Sequence, residues 1–350
     1  MVLGHSGAPF THWIFLFHMA VFYIAAGYTW NNKHVQSFSS LKKYILNKIK
    51  TLYVPYIFCN ILFLLLNNVF IEGGIYASSE EYLFLIGSED TSLLHTKLSF
   101  IQIAKHIVAI CFLIKGTELG GPTWFFASLF VTLCVYAVLE YILSKAFKQK
   151  RGLINVVETI LAVTFLGVAW LISEDSFSLH VHNFNRFFAA YPLLLLGSFL
   201  KMIDKKISWG PVMSLSVAVL AFVLLWVMNG YGSISMARSK IENPMFFLIV
   251  SLSGWYLLVA LSHLIPRSSL TELGASTRSI VMWHFISMKG VTWAYIVMVG
   301  LPMVLLGAFP FLENTTPYMW VIYTIVGVGV PYFFGVIYDR IKFKVCKNNK

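Results

Sequence analysis

The chain has 350 residues, of which 58% are apolar, 16% aromatic and 12% charged. A soluble domain carries about a quarter charged residues, so disorder, a coiled coil and a soluble enzyme are all excluded. The net charge of +11, from 26 basic against 15 acidic residues, would point to nucleic acid in a soluble protein. Here the basic residues fall between apolar runs, as they do in membrane proteins, and no nucleic-acid partner is expected.

The N-terminus, Met1-Val2-Leu3 followed by Gly4-His5-Ser6-Gly7, has no basic region and no cleavage site, so it is not a secretory signal. It reads as the tail of an apolar helix, and one further span is expected ahead of His5. A membrane crossing needs about 20 mostly apolar residues. Nine such runs follow, at 13–30, 53–72, 122–143, 153–172, 187–200, 209–228, 245–264, 280–308 and 318–338. The run at 187–200 is short. The run at 280–308 holds Lys289, Gly290, Gly300 and Pro302 and is too long for one straight crossing, so it is expected to be tilted or broken. The fold class is therefore all-α: a polytopic transmembrane helical bundle of nine spans, ten with the upstream one. One domain covers 1–340, and 341–350 is a basic tail.

Alternate loops hold nineteen Lys and Arg on one side and six on the other, with Lys289 inside a span. That bias places the C-terminus in the cytoplasm and residues 1–12 outside. Counting 100–115 as a crossing would invert every later loop. Its Lys105, His106 and Lys115 also make it amphipathic, so it is expected to be an interfacial or re-entrant helix on the outer side.

Ionisable groups within spans are candidate sites by default. His5, in LGHSGAP (3–9), sits among small residues at the outer edge, and a neutral imidazole suits proton abstraction from a hydroxyl. His18 lies in FHMAVFYIAAGY (17–28), where an interhelical hydrogen bond is an equal reading. Lys48 and Lys50, in NKIKTLYVPYIF (47–58), are either orientation signals or an anion site at the inner edge. Trp124 in GPTWFFASLF (121–130) fits an interfacial belt. His284, in LGASTRSIVMWHFIS (273–287), follows Arg278 near the inner edge. Lys289 has no nearby acid in sequence, with Glu140 and Glu158 as possible partners. His180 and His182 form an HxH without further ligands, and Cys59, Cys111, Cys134 and Cys346 are scattered, so no metal site or disulfide is expected.

Taken in order, these segments resemble acyltransferase family 3 membrane proteins, specifically the fucose-acetylase-like O-acetyltransferases of bacterial surface polysaccharides. The likeness runs from residue 1 to about 340. It implies a bundle that moves acetyl from acetyl-CoA, a co-substrate with no bound cofactor, to a hydroxyl of a glycan or lipid-linked sugar at the cell surface. It assigns His5 as the general base on the acceptor and matches His18 to the family's FHM histidine. Lys48 and Lys50 fall in the stretch linked to the acyl donor, and Trp124, Ser276, Arg278 and His284 occupy further motif positions. The chain departs from the pattern at Ala20, where Pro is usual, at Ala26, where Ser is, and at Thr51 and Leu52, where Arg is common. A glycan-precursor transporter or flippase, which needs a polar path and often a repeat, and a catalytically inactive member of the same fold are the competing readings.

Overall fold

The computed structural model describes residues 1–176, 182–265, 267–313 and 315–348. Among them, nine helices are long and apolar enough to cross a membrane: Thr11–Tyr28, Phe38–Leu65, Gly121–Ala146, Arg151–Ser173, Asn183–Asp204, Pro211–Met228, Pro244–Leu264, Thr277–Val299 and Met319–Tyr338. The sole strands described are the two-residue pair Ile234–Ser235 and Lys240–Ile241. Val212, Leu220 and Trp226 of the sixth span are exposed, an apolar surface that lipid, not water, accommodates. The chain is an all-α, multi-pass membrane protein.

The spans depart from the hydropathy runs where polar residues turn inward. The helix predicted at 187–200 starts earlier, because Asn183 and Asn185 are buried. Arg186 there donates to Asn183 Oδ1 at 2.8 Å and from Nε to Ala237 O at 2.9 Å. The basic segment before residue 53 is helical from Phe38, capped by Ser37, whose hydroxyl accepts from the Ser40 N–H. A π-helical turn, Ile49–Tyr53, then precedes Pro55. Proline offers no N–H to the preceding turn, and a wider turn absorbs that loss. At the other long run, the helix stops at Val299 because Gly300 takes a left-handed φ of +75°. Pro302 follows, and a short 3-10 turn, Met303–Gly307, folds back. Phe100–Cys111 is a 12-residue helix closed by a Ser99–Gln102 capping box. At 1.5 Å per residue it is about 18 Å long, too short to cross. The last helix continues to Asn348, taking in most of the segment expected as a tail.

The chain divides into two compact units: Met1–Thr11, Tyr56–Thr123 and Ser268–Lys350 form one, and His12–Pro55 and Trp124–Arg267 the other. In the first, Thr277–Val299 packs along Met319–Asn348. Ser279 donates to Pro331 O at 2.7 Å, and Thr292 Oγ1 lies 2.9 Å from the Tyr323 hydroxyl. In the second, His18–Tyr28 packs on His182–Asp204 through reciprocal glycines. A Cβ on Gly27 would lie 1.8 Å from Leu194 O, and one on Gly197 would lie 2.0 Å from Ile24 O. Such close backbone approach is the usual means of helix association in lipid.

Candidate active site

In the first unit, His5 ends a 3-10 turn, Val2–His5. The small residues around it have defined tasks. The Ser6 hydroxyl, buried, donates to Leu3 O at 3.0 Å. Gly7 has a φ of +79°, and a Cβ there would lie 2.7 Å from the Phe311 ring. A side chain at Gly327 of the last helix would come within 2.9 Å of Val2, so the turn lies directly on that helix.

This seating brings His5 against the Thr277–Val299 helix. Its ring stacks on that of His284, with centroids 5.7 Å apart and planes at 26°. Phe285 meets His5 edge-on at 5.0 Å and lies 4.5 Å from His284. His284 is fully buried, and its Nδ1 lies 2.9 Å from Ile280 O. A carbonyl can only accept, so Nδ1 carries the hydrogen and Nε2 presents a lone pair. Nε2 is buried and has no hydrogen-bond partner among the described residues.

The sequence placed His5 at the outer membrane edge and His284 near the inner one. Both cannot hold for rings 5.7 Å apart. The close contacts of Gly7 with Phe311 and of Val2 with Gly327 seat the His5 turn against its own unit's helices.

Around this pair the unit supplies a fixed wall. Asn60, fully buried, uses its amide in four hydrogen bonds: Nδ2 donates to Tyr56 O at 2.9 Å and Thr123 Oγ1 at 2.8 Å, and Oδ1 accepts from Thr117 N–H at 2.8 Å and the Thr117 hydroxyl at 3.1 Å. It thereby clamps the 116–123 turn, whose Gly121 faces Phe285. Asn60 was missed in the sequence, although an amide inside an apolar run is a visible signal. The same turn carries Glu118, paired with His95 Nε2 at 3.0 Å, and Tyr76 stacks on His95 with centroids 4.4 Å apart. Burial, then the Glu118 charge, pushes the Tyr76 phenol above its ordinary range.

Lys289 finds neither of the acids proposed for it. Its ammonium donates to Leu306 O and Ala308 O, each at 2.8 Å. Glu140 and Glu158 belong to the second unit, where both are buried and share the Arg151 guanidinium; Nη1 bonds Glu140 Oε1, and Nη2 lies 3.8 Å from Glu158 Oε2. Arg151 had been counted only as a loop charge.

The remaining candidates are placed as follows. Ser276 precedes the Thr277–Val299 helix as its N-cap residue without a side-chain capping bond, and Arg278 is exposed at its start. In the second unit, His18 opens the helix after a break at Leu16–Phe17, and its Nδ1 lies 3.1 Å from Ile14 O. The Lys48 ammonium lies 5.0 Å from the centre of the Tyr44 ring, while Lys50 is exposed on the π-helical turn. Trp124 has the Arg186 guanidinium 4.7 Å from its ring centre, a cation–π contact that its reading as a belt residue did not foresee. Among the described residues no group of three or more His, Cys, Asp or Glu is placed to hold a metal. His180 of the HxH pair lies outside the described residues.

A protein-family model described as an acyltransferase domain matches residues 1–336. No curated protein matches the chain, and no solved structure does. The family match spans nearly the whole sequence, taking in the His5 turn, the Asn60 clamp and the His284 helix: the chain belongs to acyltransferase family 3 and is a membrane acyltransferase.

Proposed function

We propose that the protein transfers acetyl from acetyl-CoA to a hydroxyl of a cell-surface polysaccharide or its lipid-linked precursor, in the inner membrane with its C-terminus cytoplasmic. The observation that carries this reading is the His5–His284 stack. Two imidazoles, one with its tautomer fixed by a backbone carbonyl, lie in ring contact within one unit. His5 takes the proton from the acceptor hydroxyl, and the oxygen attacks the thioester carbonyl carbon. The C–S bond breaks, and the proton on His5 passes to the leaving thiolate to give free CoA. His284 stays neutral and buried, supporting the His5 ring in the position that proton transfer requires. Lys48, Lys50 and the neighbouring cations are proposed to engage the phosphates of CoA as point charges.

The test is ester-linked acetyl on the surface glycans of cells lacking the gene. Complementation with the intact reading frame restores acetyl, and the same frame carrying His5→Ala does not, at equal protein levels. General-base assistance is worth 10²–10⁴-fold, so His5→Ala leaves at most about a hundredth of the rate. Restoration of acetyl by His5→Ala would remove His5 from the role, and acetyl unchanged by deletion of the gene would remove the activity.

A further inference from the structure

Lys289 is 3% exposed, in the middle of a span, and makes no ion pair among the described residues. A buried ammonium is costly in a membrane unless its donors are satisfied. Here two of its three donors are spent on the carbonyls of Leu306 and Ala308. Those carbonyls belong to the segment that folds back after Gly300, where the chain leaves helix and its backbone acceptors have no helical partner. The segment is seated from its other side as well. Leu306, Ala308 and Leu312 join Ala77, Tyr82, Leu83 and Ile296 in one apolar cluster, and a Cβ on Gly307 would lie 2.8 Å from Ala77.

The next residue is what makes this fixation consequential. Phe309 meets Phe285 edge-on, centroids 4.6 Å apart at 84°, and its ring centre lies 5.8 Å from the Lys289 ammonium. Phe285 in turn is the ring against both His5 and His284. A continuous line of contacts thus runs from the Lys289 ammonium through the 306–308 carbonyls and Phe309 to Phe285 and the histidine pair. Glu118 adds its charge to the surroundings of Lys289 without pairing with it.

We infer that Lys289 is a positioning residue for the histidine pair: it pins the 306–308 turn so that Phe309 holds Phe285, and through it His5, in the reactive arrangement. The inference rests on the acetyltransferase reading above. A methionine at 289 keeps the length and apolar stem of lysine and removes the donors, releasing the turn. Displacement of a reactive group by about 1 Å costs on the order of 10²-fold in rate.

The test uses full-length protein in membranes from cells lacking the gene, supplied with [¹⁴C]acetyl-CoA and their own glycan. The rate of base-labile label incorporation is measured per molecule of monodisperse protein, for wild type, K289M, F309A and K289M/F309A. The expected result is a 10–100-fold fall in kcat for each single variant, with KM for acetyl-CoA changed less than two-fold. The double variant falls no further than the worse single one, because both act through the same turn. K289M with wild-type kcat, or losses that multiply in the double variant, overturns the inference. If K289M yields no monodisperse protein, F309A decides: a reduced kcat at unchanged KM supports the inference, and wild-type kcat overturns it. Wild-type membranes that incorporate no label refute the acetyltransferase reading, and this inference with it.

Discussion

Replacing Arg151 by Met tests the most heavily charged buried cluster. Glu140 and Glu158 have side chains 0% and 1% exposed, and the one guanidinium near them is 39% exposed. The substitution keeps most of the apolar stem and leaves the buried Glu140–Glu158 pair without its cation. Removing one partner of a buried ion pair costs about 3–5 kcal/mol, most of it the penalty of the charge left behind. For a unit of about 190 residues, each kcal/mol moves the unfolding midpoint by about 2–4 °C, so R151M lowers it by roughly 6–20 °C. The triple variant R151M/E140Q/E158Q removes the stranded charge, and with it most of the penalty, and unfolds within a few degrees of wild type. Unfolding in detergent is followed with a maleimide dye that fluoresces on reaching thiols, for which half-buried Cys134, in the same unit as the cluster, is a built-in reporter. A midpoint for R151M within 2 °C of wild type, or a triple variant no more stable than R151M, would refute this account of the cluster.

Two further outcomes follow from single residues. Gly197→Ala puts a methyl 2.0 Å from a carbonyl oxygen that belongs to helix backbone and cannot swing away, whereas a Cβ on Gly152 meets nothing within 4 Å. Overpacking costs about 1–3 kcal/mol or more, so Gly197→Ala sharply reduces monodisperse yield on size-exclusion chromatography, while Gly152→Ala matches wild type. The His34 imidazole, outside the spans, is held below its ordinary pKa by burial and then by the Lys48 charge. The folded state therefore binds fewer protons than the unfolded one below about pH 6.5, and stability declines as pH falls through that value. His34→Gln flattens the difference in midpoint between pH 7.5 and 5.5; an undiminished difference would assign the effect elsewhere.

The spans were legible because lipid demands unbroken apolar length, and all nine span-length helices among the described residues overlap a hydropathy run. The boundaries were not, wherever polar residues spend their hydrogen bonds inside the protein. Asn183, Asn185 and Arg186 depress the hydropathy of a helix that nonetheless continues through them. Lys289 shows the same limit at a site. Composition directs attention to acids as partners for a buried cation, but the partners are two backbone carbonyls of a turn, which carry no residue-type signal. The Glu140–Arg151 pair was nearer to hand: an arginine opening a helix, eleven residues after a glutamate in the preceding one, is a pairing that a tight connection permits. His5 and His284 were each found as single residues. Their contact spans 279 positions, and no local pattern reports it.

That contact also changes the geometry of the proposed reaction. With His5 at the outer edge and the cations at the inner edge, an acyl donor would have to bridge about 30 Å of hydrocarbon. His284 lies seven residues from the Thr277 end of its 23-residue helix, about 10 Å along the axis at 1.5 Å per residue. The His5 ring is beside it, a third of the way along that helix. On the proposed orientation the Thr277 end, which bears Arg278, is cytoplasmic. If acetyl-CoA is the donor, as proposed, its thioester would meet His5 about 10 Å in from that end of the helix. The longer approach, through the remaining two thirds of the helix, falls to the acceptor from the side where the Lys289-pinned turn, Glu118 and His95 lie. On the proposed reaction, the groups that distinguish one acceptor from another would then belong to this outer part of the first unit, beyond the histidine pair.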